Sequence, residues 1–239
     1  MDGDRQISCV DLGLTYYGDA WALQKRIFDL RCTGEIGDVL LLNEHRHVYT
    51  LGKSSNENHL LASDVSLQDS HSEVFHIDRG GDVTYHGQGQ LVGYPILKLD
   101  DYYADLHRYL RDLEEVIMRT LADFNITAGR DQGLTGVWVG SEKIAAIGVK
   151  VSRWVTMHGF ALNVNTDLSY FDRIIPCGIF DKGVTSMQKL LNREIKLPDV
   201  SKSLQRHFGD VFGVRVMDCS QEDLMSQAPR ILNERIEIV

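Results

Sequence analysis

Cysteine, lysine and histidine are the side chains here best suited to nucleophilic and acid–base work, and three of their neighbourhoods stand out. Cys177 lies between Pro176 and Gly178. Proline breaks a strand ladder and glycine favours turns, so this thiol belongs on a loop. Cys9 falls in a strand pattern, Cys32 on a helix, and Cys219 in polar sequence near the C-terminus. Most free cysteines are small buried hydrophobes. Cys177 is therefore the best nucleophile candidate of the four, although Pro-Cys-Gly alone is weak evidence.

Lys143 opens the second neighbourhood, at the start of an apolar run whose small residues Ala145, Ala146 and Gly148 leave room for a ligand chain or for close packing against a helix. Most lysines point into water, so its context alone does not make it functional. The third is the stretch from Arg79 to Gln90, where Gly80, Gly81, Gly87 and Gly89 let the backbone approach a ligand and present N–H groups to it. Arg79, Thr84, Tyr85 and His86 add polar handles; the competing reading is a glycine-rich hairpin. The stretch fits neither GxxxxGK[ST] nor GxGxxG, so a nucleotide site is not supported. His158, followed by Gly159, Phe160 and Ala161, reads equally as a ligand-facing residue or as a satisfied core histidine.

The elements that must position these groups follow from periodicity. Strands are expected at 7–12, 38–43, 47–51, 74–77 and 90–99, with the polar tetrad Glu44 to His47 making a hairpin or tight turn. Leu106, Leu110, Leu113, Ile117, Leu121 and Phe124 recur at spacings of three and four, which predicts a helix over 101–124. A second helix is expected over 19–31, stopped by Gly34, and a third over 198–212. Runs at 136–140, 143–151 and 156–164, joined by short turns, read as an antiparallel meander, and 214–217 as a last strand. The fold class is α+β: a mixed, largely antiparallel β-sheet with flanking helices, in one domain over 1–239, with a short C-terminal lobe after Pro198 as the alternative. No βαβ series supports a Rossmann fold.

Composition bounds the function. The net charge of −9 argues against a nucleic-acid footprint. Docking of an acidic partner would need a local basic patch, for which Arg46, His47 and Lys53, or Lys150, Arg153 and Lys182, are the candidates. No apolar run approaches the ~20 residues of a membrane span. Four cysteines without CxxC spacing argue against zinc and against a disulfide framework, and with the polar, acidic start they point to a cytoplasmic protein with reduced thiols.

Taken together and in order, the stretches 79–95 (RGGDVTYHGQGQLVGYP), 142–151 (EKIAAIGVKV), 158–165 (HGFALNVN) and the Pro-Cys-Gly at 176–178 resemble the lipoyl(octanoyl) transferase family. That family shares its fold with the catalytic domains of biotin and lipoate protein ligases. Gln88 stands where proline is more usual, and Asp82 is one of several residues tolerated at its position. The resemblance, from about Asp38 to Leu190, implies transfer of an octanoyl or lipoyl group from acyl carrier protein to a lysine of lipoyl domains, those of 2-oxoacid dehydrogenases and the glycine cleavage H protein. It makes Cys177 the nucleophile and Lys143 its partner. Arg79, Gly80, Gly81, Asp82, Val83, Thr84, Tyr85 and His86, then Ala146, Ile147 and Gly148, and Gly159, Phe160 and Ala161, would line the acyl site. His158 remains a possible addition, and neither cofactor nor metal is expected. The alternatives are an ATP-dependent lipoate or biotin ligase, an amidotransferase moving octanoyl between lipoyl domains, and a non-catalytic carrier-binding module.

Overall fold

Alternation decides the architecture. Val39, Leu40, Leu41 and Leu42 are all fully buried, so the strand that carries them has apolar side chains on both faces and must be covered on both. The computed structural model describes residues 5–61, 67, 71–131, 133–175 and 183–227. Its strands, in chain order, are β1 (Gln6–Thr15), β2 (Val39–His45), β3 (Val48–Leu51), β4 (Glu73–His76), β5 (Val83–His86) and β6 (Gln90–Ile96). β7 (Gly129–Asp131), β8 (Leu134–Val139), β9 (Glu142–Ser152), β10 (Val155–Asn163) and β11 (Arg215–Asp218) follow. Eight of them form one sheet in the order β11-β1-β2-β6-β10-β9-β8-β7, parallel across β11, β1 and β2 and antiparallel elsewhere. The other three make a small sheet, β4-β3-β5. The fold is thus α+β with a mixed, largely antiparallel sheet.

The helices are α1 (Tyr17–Thr33), α2 (Leu106–Asp123), α3 (Met187–Leu191), α4 (Leu197–Phe212) and α5 (Gln221–Ser226). Leu40, Leu42, Phe160 and Leu162 point to the face covered by α2 and α4, where they meet Leu113, Ile117 and Phe208. Val39, Leu41, Met157 and Ala161 point to the opposite face, packed with Ile27, Phe28 and Leu30 of α1. Gly34 ends α1 as expected, in the left-handed region (φ 79°), its N–H bonding to the carbonyls of Arg31 and Leu30. Asp105 caps α2, accepting from the Arg108 N–H at 3.0 Å, so this helix begins five residues later than its periodicity suggests. None of the helices described is long and apolar enough to cross a membrane.

Two expectations are corrected. β2 and β3 do not pair as a hairpin: β2 lies between β1 and β6 in the large sheet, and β3 between β4 and β5 in the small one. Both strands are buried along their length, and a two-stranded hairpin would leave each with an uncovered edge. The glycine-rich stretch is likewise no hairpin, since β5 joins the small sheet and β6 the large one. It is the crossing between the two sheets. The segment after Pro198 is built into the main structure, with α4 packed on α2 and β11 hydrogen-bonded to β1.

Candidate active site

A cavity of about 420 Å³ opens where the two sheets meet. Its length follows β9 and β10, whose register pairs Leu162 with Ala145, Ala161 with Ala146, Phe160 with Ile147, Gly159 with Gly148 and His158 with Val149. On the other side of β10, Asn163 pairs with Gln90 and Ala161 with Val92. Lys143 lies two residues beyond Ala145 on β9, so it and the Asn163–Gln90 pair stand at the same end. His158 and Val149 stand at the other, six residues along β9, or roughly 20 Å of strand at about 3.3 Å per residue.

Close backbone approach shapes the wall. The Gly80 N–H donates to the Val149 carbonyl at 2.9 Å, which lays the loop carrying Arg79 to Asp82 across β9. A Cβ on Gly148 would come within 2.9 Å of the Gly80 oxygen, and one on Gly159 within 2.1 Å of the Gly93 oxygen. These two glycines let main chain stand where side chains would otherwise fill the space.

Thirteen of the fourteen residues that the resemblance implies for the acyl site line this cavity: Arg79 to Thr84, His86, Ala146 to Gly148 and Gly159 to Ala161. Lys143 and His158 line it too. Tyr85 does not. Successive side chains of β5 point to opposite faces, so Thr84 and His86 turn to the cavity while Tyr85 turns into a separate core with Tyr49, Phe171 and Ile174. There its hydroxyl pairs with His47 Nδ1 at 2.7 Å and its ring stacks on Tyr170. Several lining residues were not singled out beforehand, among them Tyr17, Gln90, Tyr94, Leu110, Asn163 and Phe171. Gln90 and Asn163 lay within the motif stretches, whereas nothing local marks Tyr17 or Tyr94.

The polar groups are individually held. Arg79 is buried, donating to the Thr50 carbonyl at 2.7 Å and hydroxyl at 3.0 Å and to the Gly80 carbonyl at 3.0 Å. Asp82 takes a hydrogen bond from its neighbour Val83 and pairs with His59 Nδ1 at 2.5 Å. His158, with φ 60°, pairs through Nε2 with Asp78 at 2.8 Å, and Lys150 reaches the same carboxylate at 2.6 Å. His158 thus borders the cavity and is buried, its ring partnered through Nε2 alone, while its Nδ1 is enclosed without a hydrogen-bond partner among the described residues. Burial of Asp78 opposes its ionisation, but Lys150 and His158 outweigh this and bring its pKa down to about 2. Lys150 is thus engaged with Asp78, Arg46 stacks over Tyr16, and Lys182 lies outside the described residues.

Lys143 Nζ stands 4.8 Å from the centre of the Trp138 ring. Its main chain is clamped by the returning chain, its N–H donating to the Gly183 carbonyl (2.9 Å) and its carbonyl accepting from the Thr185 N–H (3.0 Å). Cys177 falls within 176–182, outside the described residues. Of the described residues on either side of that segment, the Ile175 N–H donates to the His59 carbonyl at 2.8 Å, and 183–185 pair with Lys143. None of the other cysteines lines the cavity. Cys9 is buried under α2 and α4, and burial, with Asp218 and Asp11 adding to it, pushes its thiol up to about 12.

Burial also pushes imidazole pKa values down from 6.5, to about 3 for His45 and about 4 for His86 and His158. These rings stay neutral in the folded protein while the unfolded chain protonates, so stability is fully present above about pH 6.5 and falls as pH drops towards 4. We expect denaturant unfolding to show this loss between pH 6.5 and 4, at up to about 1.4 kcal/mol per pH unit for each ring. A flat profile over that range would contradict the burial of these rings as neutral groups.

The model of the lipoyl protein ligase A/B catalytic domain matches residues 16–209. The chain belongs to this family. Among curated proteins, an octanoyltransferase of Rubrobacter xylanophilus is 53% identical over 203 residues, covering 84% of this chain and 91% of that protein. An octanoyltransferase of Cytophaga hutchinsonii is 47% identical over 232 residues, covering 89% and 95%. Of solved structures, the bipartite lipoate protein ligase of Thermoplasma acidophilum, described with its E2 lipoyl domain, superposes with a TM-score of 0.72 at 16% identity, covering 94% of this chain and 90% of that one. The biotin protein ligase of Aquifex aeolicus gives 0.51 at 12% identity, covering 86% and 68%. At such identities the likeness is one of fold.

Proposed function

We propose that this chain is an octanoyltransferase of protein lipoylation. It moves an octanoyl or lipoyl group from acyl carrier protein to a lysine of a lipoyl domain through a thioester on Cys177. The octanoyl-transfer activity is supported by the two octanoyltransferase relatives, each matched over most of its length. The observation that carries the reading is the cavity itself, walled by Val83, Val92, Leu110, Ala146, Ile147 and Phe160, with Lys143 at one end and its main chain hydrogen-bonded to Gly183 and Thr185.

An unperturbed thiol, with a pKa of about 8.5, is only a few per cent ionised at pH 7, and an adjacent ammonium raises that fraction. The thiolate of Cys177 attacks the carrier thioester; the new C–S bond forms, the old one breaks, and Lys143 gives its proton to the departing carrier thiolate. Exchanging one thioester for another is close to neutral in energy, so this step needs no nucleotide. Lys143 is left neutral. It then takes the proton that the acceptor amine sheds on attacking the acyl-enzyme, and the released thiolate restores the starting pair. Lys143 thus acts as acid in the first half and as base in the second. The acceptors are the lipoyl domains of 2-oxoacid dehydrogenases and the glycine cleavage H protein, docking through Arg46 and Lys53 or through Lys150, Arg153 and Lys182, in the cytoplasm.

Incubation with octanoyl-loaded acyl carrier protein, followed by intact mass and peptide mapping, tests this directly. We expect one octanoyl group on Cys177, lost when a lipoyl domain is added. No covalent gain without ATP, but lipoyl-domain modification with ATP and free acid, would overturn the reading in favour of a ligase.

A further inference from the structure

Two costs meet at His158. Its backbone lies in the left-handed region, φ 60°, which residues with a Cβ adopt only under strain, and its Nδ1 is enclosed with no hydrogen-bond partner among the described residues. The Asp78 carboxylate can only accept, so Nε2, 2.8 Å from it, carries the proton and Nδ1 is the bare nitrogen. Lys150 holds the same carboxylate at 2.6 Å, and from α1 the Gln24 side chain accepts from the His158 main-chain N–H at 3.3 Å. A strained residue tied down on several sides points to a use.

The ring is a partition. It lines the cavity, whereas Asp78 and Lys150, to which it is tied, do not. Their side chains are 37% and 27% exposed, and that of His158 only 2%. The imidazole therefore stands between the cavity and the solvent that reaches Asp78. Next to it, the Gly80 N–H is bonded to Val149, the register partner of His158, and the space a Cβ on Gly148 would need is taken by the Gly80 oxygen and by Arg79 Cδ, 2.9 and 3.0 Å away. An alkyl chain has no passage over Gly148. Nearer Lys143 the trough is apolar, with Val92, Ala161 and Ala146 in one row across β6, β10 and β9. An acyl chain laid on that row with its carbonyl towards Lys143 turns its methyl end to His158.

We propose that His158 sets the acyl-chain length: its ring is the stop against which the terminal methyl of the octanoyl chain packs, and Asp78 and Lys150 are positioning residues that hold the ring across the end of the cavity. This rests on the acyl-transfer reading above and names the residue that selects the chain. A longer chain would have to displace a buried ring tied to an ion pair. A shorter one leaves apolar wall uncovered and loses its burial. The stop thus works against long chains by obstruction and against short ones by missing contact, which is how a pocket selects one length.

The test is a competition between octanoyl- and decanoyl-loaded acyl carrier protein for the full-length protein, read as the ratio of the two acyl adducts by intact mass. Wild type should carry chiefly octanoyl. His158→Gly removes the ring, and glycine suits φ 60°. We expect its decanoyl-to-octanoyl ratio to rise about tenfold or more over wild type, since each of the two added methylenes gains roughly fourfold from burial. Asp78→Ala leaves the ring but unties it, and should move the ratio the same way by less. A purely structural role would lower both adducts together, so an unchanged ratio in His158→Gly would overturn the proposal. Should that variant not fold, Asp78→Ala decides: a raised ratio supports the stop and an unchanged one sinks it. Absence of any acyl adduct on the wild-type protein would instead sink the underlying reading, so the two failures are distinguishable.

Discussion

Cys177→Ala is expected to take up no octanoyl group from the loaded carrier and to lose transfer to the lipoyl domain by about a thousandfold or more, the scale seen when a covalent nucleophile is removed. The two losses must go together. Without the thioester, the acceptor amine would have to attack the carrier thioester directly, with donor and acceptor proteins both crowding one cavity mouth. The covalent intermediate avoids that meeting, because the carrier can leave before the lipoyl domain arrives. None of the remaining thiols stands in as a substitute. Cys9 is held protonated inside the core by burial, and Cys32 and Cys219 do not border the cavity. Octanoyl mass persisting on the variant, or transfer continuing within tenfold of wild type, would place the chemistry elsewhere.

How far the sequence carried the reading depends on the range of each interaction. The α2 stripe, the stop at Gly34 and the antiparallel run β8-β9-β10 were legible because each is set by neighbours a few residues away. The partners of β2 and β3 were not, since a local pattern marks a strand without saying which sheet it joins. Tyr85 was grouped with its motif neighbours because the resemblance takes the stretch from Arg79 to His86 as a unit. Once Val83–His86 is a strand, a period of two sends it away from Thr84 and His86. The α2 stripe also holds a surprise: Leu113, Ile117 and Leu121 fill the core, but Leu106 and Leu110 open onto the cavity. One amphipathic face serves both packing and the acyl site.

What escaped local reading in the site is mostly long-range pairing. Gln90 and Asn163 are 73 residues apart, and His158 and Asp78 are 80 apart. Gln90, Asn163 and His158 lie in stretches that the motifs mark, but which side chain each of them pairs with is set by the fold and not by its neighbours in sequence. Tyr17 and Tyr94 are similar cases: a tyrosine at a helix start and another in an apolar strand both read as packing. Folding stacks one on His86 and pairs the other with His45 at 2.5 Å.

Lys143 provides the sharpest test of the proton cycle, because its two roles call for different properties. To favour a thiolate it needs only positive charge; to receive the proton from the acceptor amine it must be able to exist neutral. Lys143→Ala removes both, so acylation of Cys177 and transfer should each fall, by about a hundredfold to ten-thousandfold, the usual contribution of a positioned acid–base group. Lys143→Arg separates them. A guanidinium keeps the charge but does not give up its proton in a protein. It should therefore support thiolate formation better than alanine does while leaving transfer nearly as impaired. The side chain can be exchanged with little harm to the strand pairing, since the clamp to Gly183 and Thr185 is made by main-chain atoms. Raising the pH should restore acylation in Lys143→Ala, because the thiolate fraction then rises without help from the ammonium. Transfer by the arginine variant within tenfold of wild type, with circular dichroism and thermal midpoint matching wild type, would mean that Lys143 is no proton carrier.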